Sequence, residues 1–550
     1  MALKHVNAVV VGSGAGGGVV AKELSTAGLS VVLLERGKWY SAADCRKDDL
    51  HNQRTTVLGN AFGPDDERNP RVLVDKRGER IVFPSEGDYN NNAASVGGGT
   101  FSYGAQAWRY MEKDFRMRST YGAVPGSTLD DWPISYSDLE PFYQKAEWEM
   151  GVSGDDTNNI FKAPRRKPLP MPPLAPSKEH VILQTAAERL KLHPFDIPML
   201  RNTVPYNGRR SCMRCRWCVG FACEVNARTG THNTVIPAAL ATGNCELRAE
   251  CMTREILLDD HGRATGVTYF DDRDRLQTQT ADLVIVSCGA VESARLLLNT
   301  KHKLFPSGLG NRYDWVGRNL QGHAYPGAVG LFTEEIYDDL GPGASIAICD
   351  YNHGNPGLAG GGMLANEFIR LPYHFATMAG GFSPRWGQAS KDFVRHGFKR
   401  SVVVMGPVQE MPVFDSRIQI DPKVADYWGI PVVRMSGGRH PHTIEISNYM
   451  AGKADAWLKE AGAVQTFPRR VSASLSGGQH QAGTCRMGND PRTSVVNANC
   501  QLHDVDNVYV IDASSHVTNG GFNPALTILA NAYRASHNLL ETWKGTPVHA

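Results

Sequence analysis

Residues 5–37 read HVNAVVVGSGAGGGVVAKELSTAGLSVVLLERG. An apolar run ending at Val11 predicts a buried strand. Gly12-x-Gly14-x-x-Gly17 follows and opens an apolar-spaced helix, and a second apolar run ends at Glu35. This order is the signature of a dinucleotide-binding βαβ unit. Glycines permit a tight turn and close approach of the backbone to a pyrophosphate, which rests on the helix N-terminus. Glu35 lies where an acidic side chain hydrogen-bonds a ribose hydroxyl. Against this stands a glycine-rich turn with no ligand, disfavoured by the strand, glycines, helix, strand and acid falling in sequence. The fingerprint does not by itself separate FAD from NAD.

The far end of the chain carries the complementary chemistry: GGQHQAGTCRMG at 477–488, then VYVIDASSHVTNGGFNPALTILANAYRAS at 508–536. The first places His480 among glycines. The second predicts a buried strand (VYVID), a polar loop and a helix beginning at Asn523-Pro524. Proline suits a first helical turn, whose free N–H groups and positive dipole end can hold the electron-rich edge of a flavin or a developing anion. A histidine and an asparagine brought to that point would form a site for taking a proton from an alcohol. His516, in the intervening loop, reads equally as a substrate contact or a solvated loop residue. His323 and His503 read as structural, and Thr484 and Arg486 as scaffolding of the motif.

Length and charge bound the rest. A chain of 550 residues exceeds one core and suffices for two interleaved domains. With 58 basic against 56 acidic residues, no nucleic acid or other polyanion is implied as a partner. No apolar run is long enough for a membrane span, and the first strand starts too near the N-terminus to leave room for a secretory signal. A cytoplasmic, soluble protein is expected, with export open if a partner subunit carried the signal. The strand–glycine–helix rhythm falls in 1–40, 85–110, 225–325 and 475–550, predicting a discontinuous cofactor domain. The intervening 41–84, 111–224 and 326–474 predict a second domain. There, RSVVVMGPV (400–408) and SRIQI (416–420) suggest an antiparallel sheet roofing the substrate pocket, and APRRKPLPMPPLAP (163–176) an extended connector.

Taken together, these motifs resemble the glucose–methanol–choline (GMC) oxidoreductases, FAD enzymes that oxidise alcohols. The likeness extends through SVGGGTFSYGAQAWR (95–109), LVIVSCGAVESARLLLNT (283–300), VGRNLQGH (316–323) and EMPVFDSRIQIDPKVADYWGIPV (410–432). It implies an α/β fold: a Rossmann-like FAD-binding domain with a second, α+β substrate-binding domain built on an antiparallel sheet. It implies His480 as catalytic base and Asn523 as the residue orienting the substrate hydroxyl. FAD contacts are implied at Gly12, Gly14, Gly17, Glu35, Gly98, Gly99, Thr100, Met252, Asp512, Ala513, Asn523, Pro524 and Thr527. GFNPALT most resembles the pyranose oxidase branch. Its bacterial relatives oxidise the C3 hydroxyl of glucosides, including C-glycosides, so a sugar or glycoside substrate is expected. That branch binds flavin covalently through a histidine in the second glycine motif. Here Ser102 stands at that position, so non-covalent FAD is expected. A non-sugar alcohol oxidase or dehydrogenase, or a hydroxynitrile lyase on the same scaffold, is the alternative. Oxygen, a quinone or an electron-transfer subunit would accept the electrons.

Four of eleven cysteines crowd into SCMRCRWCVGFAC: Cys212, Cys215, Cys218 and Cys223. The spacing resembles an iron–sulfur run, and certain bacterial sugar dehydrogenases of this family carry a cluster in this region. Zinc and a plain reduced loop are the other readings. Arg214, Arg216 and Trp217 beside them are candidates for the substrate wall.

Overall fold

The computed structural model describes residues 4–51, 62–89, 93–368, 371–379 and 381–543. Strand Val6–Val11 is buried along its whole length, as both faces of a parallel sheet require. It pairs in parallel with Val31–Leu34 on one side and with Leu276–Val286 on the other. Cys245–Arg248 and Val508–Val510 extend the parallel order outward. The N-terminal half of Leu276–Val286 continues instead into an antiparallel pair, Ala264–Phe270 and Met252–Leu258. The sheet therefore has seven strands, five of them parallel.

Helix Ala15–Thr26 packs on the C-terminal helix Ala525–Thr542, so the two ends of the chain meet beside this sheet. Gly17 makes the first helix possible. A Cβ there would stand 1.8 Å from the Gly12 carbonyl oxygen, so only glycine lets helix and strand approach. Gly12 itself turns at φ +96°, which an L-side chain rarely adopts.

A second, six-stranded sheet is antiparallel throughout. Its order is Gln465–Arg469, Gly327–Leu331, Ser401–Met405, Leu364–Asn366, Ile346–Ile348 and Phe195–Asp196. Helix Pro441–Glu460 lies against it and buries Ile446, Met450 and Trp457 in a separate hydrophobic cluster with Val402, Val404 and Leu364. The Trp457 indole N–H donates to the Leu183 carbonyl at 2.9 Å, which satisfies its polar edge inside the core.

The expected antiparallel sheet is thus present and contains Ser401–Met405, but SRIQI is elsewhere. Arg417–Ala425 forms a hairpin with Pro431–Ser436 in a four-stranded sheet with Arg71–Asp75 and Gly78–Val82. The turn decides this: Asp426 accepts from the Trp428 and Ile430 amides, and its other oxygen accepts from Arg295 at 2.7 Å. That bond ties the hairpin to helix Ala290–Asn299 of the first sheet. The segment 163–176 forms no helix or strand beyond a bridge at Met171. Among the described residues, no helix is long and apolar enough to cross a membrane.

Candidate active site

A cavity of about 650 Å³ runs from the first glycine loop to the loop of His480. Gly12, Ser13, Gly14, Glu35, Gly98, Gly99, Thr100, Met252, Asp512, Ala513 and Pro524 line its end at the first glycine loop and the adjoining flank. A Cβ on Gly14 or Gly99 would meet nothing within 4 Å, so both backbones border open space where a bulky anionic group can lie. Glu35 is buried, and burial pushes its pKa above the ordinary glutamate range, against the pull of its hydrogen bonds. Its carboxylate accepts from the Ser13 amide at 3.0 Å, the Ser13 hydroxyl at 2.6 Å and the Gly37 amide at 2.9 Å. Ser13 Oγ in turn accepts from the Gly97 amide, tying the two glycine loops together.

Three residues expected at the cofactor make contacts within the protein. Gly17 lies off the wall and serves helix packing. Thr527 is also off the wall, its hydroxyl held by Tyr143 at 2.7 Å. Asp512 is on the wall, but its carboxylate is filled by protein donors. It accepts from Gly289 N at 2.9 Å, Ser293 Oγ at 2.6 Å, Ser514 N at 2.7 Å and Ser514 Oγ at 2.5 Å. It clamps the strand end to the start of helix Ala290–Asn299.

At the other end, Gln321 and Ala482 exchange backbone hydrogen bonds at 3.0 and 2.9 Å, an antiparallel bridge between the loops 316–323 and 477–488. His480 has φ +58°, a left-handed backbone that costs energy and persists where surroundings impose it. The Asn519 side-chain amide donates to the His480 carbonyl at 2.7 Å and holds that conformation. The imidazole reaches the cavity, where its Nε2 stands 3.5 Å from Asn523 Nδ2. Asn523 also donates to the Tyr325 hydroxyl at 3.0 Å, and its Oδ1 is buried with no hydrogen-bond partner in the protein. Burial, with His323 adjacent, keeps the His480 pKa well below the usual imidazole range. A neutral histidine and an amide N–H side by side can together receive a hydroxyl group: the oxygen accepts from Asn523 and its proton faces His480. Tyr325, Glu367, Phe368, His374, Met405 and Arg469 complete this end of the cavity.

None of these six was singled out in the sequence, nor was the contact of His323 with His480. His323, read as structural, stands 2.8 Å from His480, and Tyr325 lines the cavity two residues on. The NLQGH run was the only available signal for either. His516 is neither a substrate contact nor solvated. It is fully buried against Trp132 and Tyr110, off the cavity wall, with burial driving its pKa down to about 3. His503 bonds Ser494, Thr484 bonds the Ala290 carbonyl, and Arg486 bonds the Thr493 and Thr128 carbonyls, all structural as expected.

The cysteine loop does not present a ligand set. Cys212 and Cys223 accept backbone N–H groups from Arg214 and Arg228, and Cys218 is buried. Among the described residues no three His, Cys, Asp or Glu side chains are grouped to hold a metal ion. Arg214, Arg216 and Trp217 do not line the cavity; Arg216 stacks on Trp217 instead. The loop touches the cavity through Val219 and Gly220, the latter donating to the Ser102 carbonyl at 2.8 Å.

Comparison with known proteins agrees with this geometry. Two GMC oxidoreductase family signatures match residues 184–325 and 412–532. The chain is 31% identical to a 2-methyl-1,2-propanediol dehydrogenase of Mycolicibacterium austroafricanum, over 96% of this chain and 94% of that protein. It is 28% identical to a gluconate 2-dehydrogenase flavoprotein of Pantoea cypripedii, over 99% and 95% respectively. The fold matches the crystal structure of a pyridoxine 4-oxidase from Mesorbium loti with TM-score 0.64, at 16% identity, covering 98% and 99% of the two chains. Similarity that runs the whole length and takes in both ends of the cavity makes this chain a member of the GMC oxidoreductases, FAD-binding enzymes that act on CH–OH groups.

Proposed function

We propose that the protein oxidises a secondary hydroxyl of a sugar, glycoside or sugar acid to a ketone, with His480 as base and Asn523 as its partner. The carrying observation is the 3.5 Å separation of His480 Nε2 and Asn523 Nδ2 on the cavity wall. A hydroxyl oxygen set against both donates its proton to His480 and accepts from Asn523, which stabilises the developing alkoxide. FAD, when bound, supplies the hydride acceptor for the carbinol carbon. Gly12 to Ala15, Gly98 to Thr100 and Met252 would line its nucleotide, Glu35 its ribose, and Ala513 and Pro524 its redox ring. On the same view the parallel sheet serves the cofactor and the antiparallel sheet the substrate.

The polar lining around Tyr325, Glu367, His374 and Arg469 favours a hydroxyl-rich substrate over a long aliphatic one. The gluconate dehydrogenase relative supports a sugar-derived substrate, and the C3 hydroxyl of a glucoside remains the specific choice within that class. The diol dehydrogenase relative favours, as a second reading, a short polar diol. FAD is held without a covalent bond, since residues 97–104 offer Ser102 and neither histidine nor cysteine. We assign no cluster to Cys212, Cys215, Cys218 and Cys223. Oxygen, a quinone or a partner subunit takes the electrons.

The test is an anaerobic titration of the purified flavoprotein with gluconate, glucose, methyl glucoside, a C-glucoside and 1,2-propanediol. Bleaching of the flavin band by a sugar or sugar acid supports the proposal. Bleaching by the diol alone selects the second reading. No bleaching by any of them refutes both. Acid precipitation should release the flavin into the supernatant; retention in the pellet would refute non-covalent binding.

A further inference from the structure

The bridge between Gln321 and Ala482 is antiparallel, so His323, two residues after Gln321, falls opposite His480, two residues before Ala482. Their Nδ1 atoms stand 2.8 Å apart, close enough to share one hydrogen bond and too close for two protons or for none. The backbone decides which ring supplies the proton. His323 Nε2 lies 2.6 Å from the Gly520 carbonyl oxygen and 3.2 Å from that of Asn519. Carbonyl oxygens only accept, so Nε2 of His323 carries its hydrogen and Nδ1 of the neutral ring presents a lone pair. The shared proton therefore sits on His480 Nδ1. That leaves His480 Nε2, the nitrogen beside Asn523, bare and able to accept.

We propose that His323 is the positioning residue of the reaction: by accepting from His480 Nδ1–H it holds the base in the one tautomer that can take a substrate proton. This rests on His480 being the base. Catalytic histidines elsewhere have the same constraint imposed by a carboxylate, which also makes the ring more basic. A neutral imidazole imposes the tautomer without a charge alongside, so His480 stays unprotonated before the substrate arrives.

A carboxylate stands one step removed. Glu410 accepts from the Ser476 hydroxyl and the Gly322 amide and is ion-paired with Arg439 at 2.9 Å. Its charge acts on His323 and favours a cation there, opposed by burial and by Arg439. When the hydroxyl proton reaches His480 Nε2, the Nδ1 proton can shift toward His323 Nδ1. One positive charge is then spread over the two rings, with Glu410 on the receiving side and no proton lost or gained. Other titratable groups near the pair are the Tyr325 phenol, 3.4 Å from His480 Nδ1, buried His516, close enough to His323 to feel its charge, and Glu367, His374 and Arg469 on the cavity wall that His480 reaches.

The holoenzyme provides the test. Histidine-selective 15N NMR of the wild type, with His480 assigned by its loss in His480→Ala, should show a protonated Nδ1 and a bare Nε2. Protonation at Nε2 overturns the proposal without any variant of His323. In stopped flow, His323→Leu should slow anaerobic flavin reduction roughly 10- to 100-fold, the usual range for residues that orient a reacting group from behind, with KM little changed. His323→Asn, whose Oδ1 can stand in for the accepting Nδ1, should recover most of that rate. Wild-type reduction by His323→Leu overturns the proposal. So does an equal loss in Leu and Asn variants with the His480 tautomer unchanged, since the histidine would then only pin the loops. If His480→Ala itself reduces flavin normally, the base assignment fails first; a slow His480→Ala beside a fast His323→Leu sinks this inference alone.

Discussion

Asp512→Asn removes one charge and one acceptor from the clamp that joins the last strand of the parallel sheet to helix Ala290–Asn299. The wild-type carboxylate receives two backbone amides and two hydroxyls at 2.5–2.9 Å. The hydroxyls of Ser293 and Ser514 can rotate and accept from an asparagine NH2. The amides of Gly289 and Ser514 cannot. They approach different oxygens, so whichever way the new amide turns, one of them faces another N–H. A buried donor without a partner costs about 1–3 kcal/mol, and the loss of charge assistance on the remaining bonds adds about 1 kcal/mol in all. A total of about 2–4 kcal/mol follows. Because Gly289 and Asp512 both border the cavity, much of that loss should appear as weaker FAD binding, about 30- to 1000-fold if all of it does. The assay is paired: FAD affinity by flavin fluorescence on the reconstituted apoprotein, and urea midpoints of apo and holo forms by circular dichroism. Ser293→Ala removes one hydroxyl from the clamp and also strips the Cys288 amide of its acceptor at 3.0 Å, so it should cost about 1–3 kcal/mol. If Asp512→Asn matches wild type in both FAD affinity and urea midpoint, the clamp carries no energy and the account of Asp512 is wrong.

Other outcomes are expected at the reacting end and the ribose end. His480→Ala should retain FAD but reduce it about 10²-fold or more slowly, as loss of a general base requires; a near-normal rate would remove His480 from that role. With its pKa held well below the imidazole range, His480 should keep flavin reduction on its plateau down through about pH 6.5, the ordinary titration point. Asn523→Asp would set a carboxylate 3.5 Å from Nε2 and raise that pKa, so the acid limb should move to higher pH; an unmoved limb would mean another group titrates. Glu35 has a folded-state pKa above its unfolded value, so its contribution to apoprotein stability is greatest below the unfolded pKa and declines as pH rises through the folded one. Glu35→Gln should flatten that slope in urea midpoints measured from about pH 4 to 7 while weakening FAD affinity, and an unchanged slope would refute the burial effect.

Much of the site was legible because its parts are local patterns. The glycine fingerprint specifies a turn and a helix start within a few residues, and Gly12, Gly14, Glu35, Gly98 to Thr100, Met252, Ala513 and Pro524 all reached the cavity wall. Local pattern also misled. VYVID correctly predicted a strand ending at the cavity, but two of the four partners of the Asp512 carboxylate come from Gly289 and Ser293, more than two hundred residues away. GxNPxLT was read as one unit, yet only Asn523, Pro524 and Ala525 face the cavity while Thr527 turns to Tyr143. SRIQI alternates as a strand should, but its sheet was chosen by the turn at Asp426 and its tie to Arg295.

By itself the sequence determined the class of protein: a βαβ dinucleotide unit, a histidine loop and an Asn-Pro helix start, each encoded in contiguous residues whose backbone conformations follow from glycine, proline and apolar spacing. Tertiary structure decided which side chains work together. Thr527 is two residues past Ala525 on one helix, and only the packing of that helix against Tyr143 says which of them faces the cavity. His323 and His480 are 157 positions apart and become neighbours only because an antiparallel bridge joins their loops. The tautomer proposed for His480 rests on the Gly520 and Asn519 carbonyls beside His323. Periodicity cannot reveal that, because hydrogen bonding between distant loops leaves no repeat in the chain.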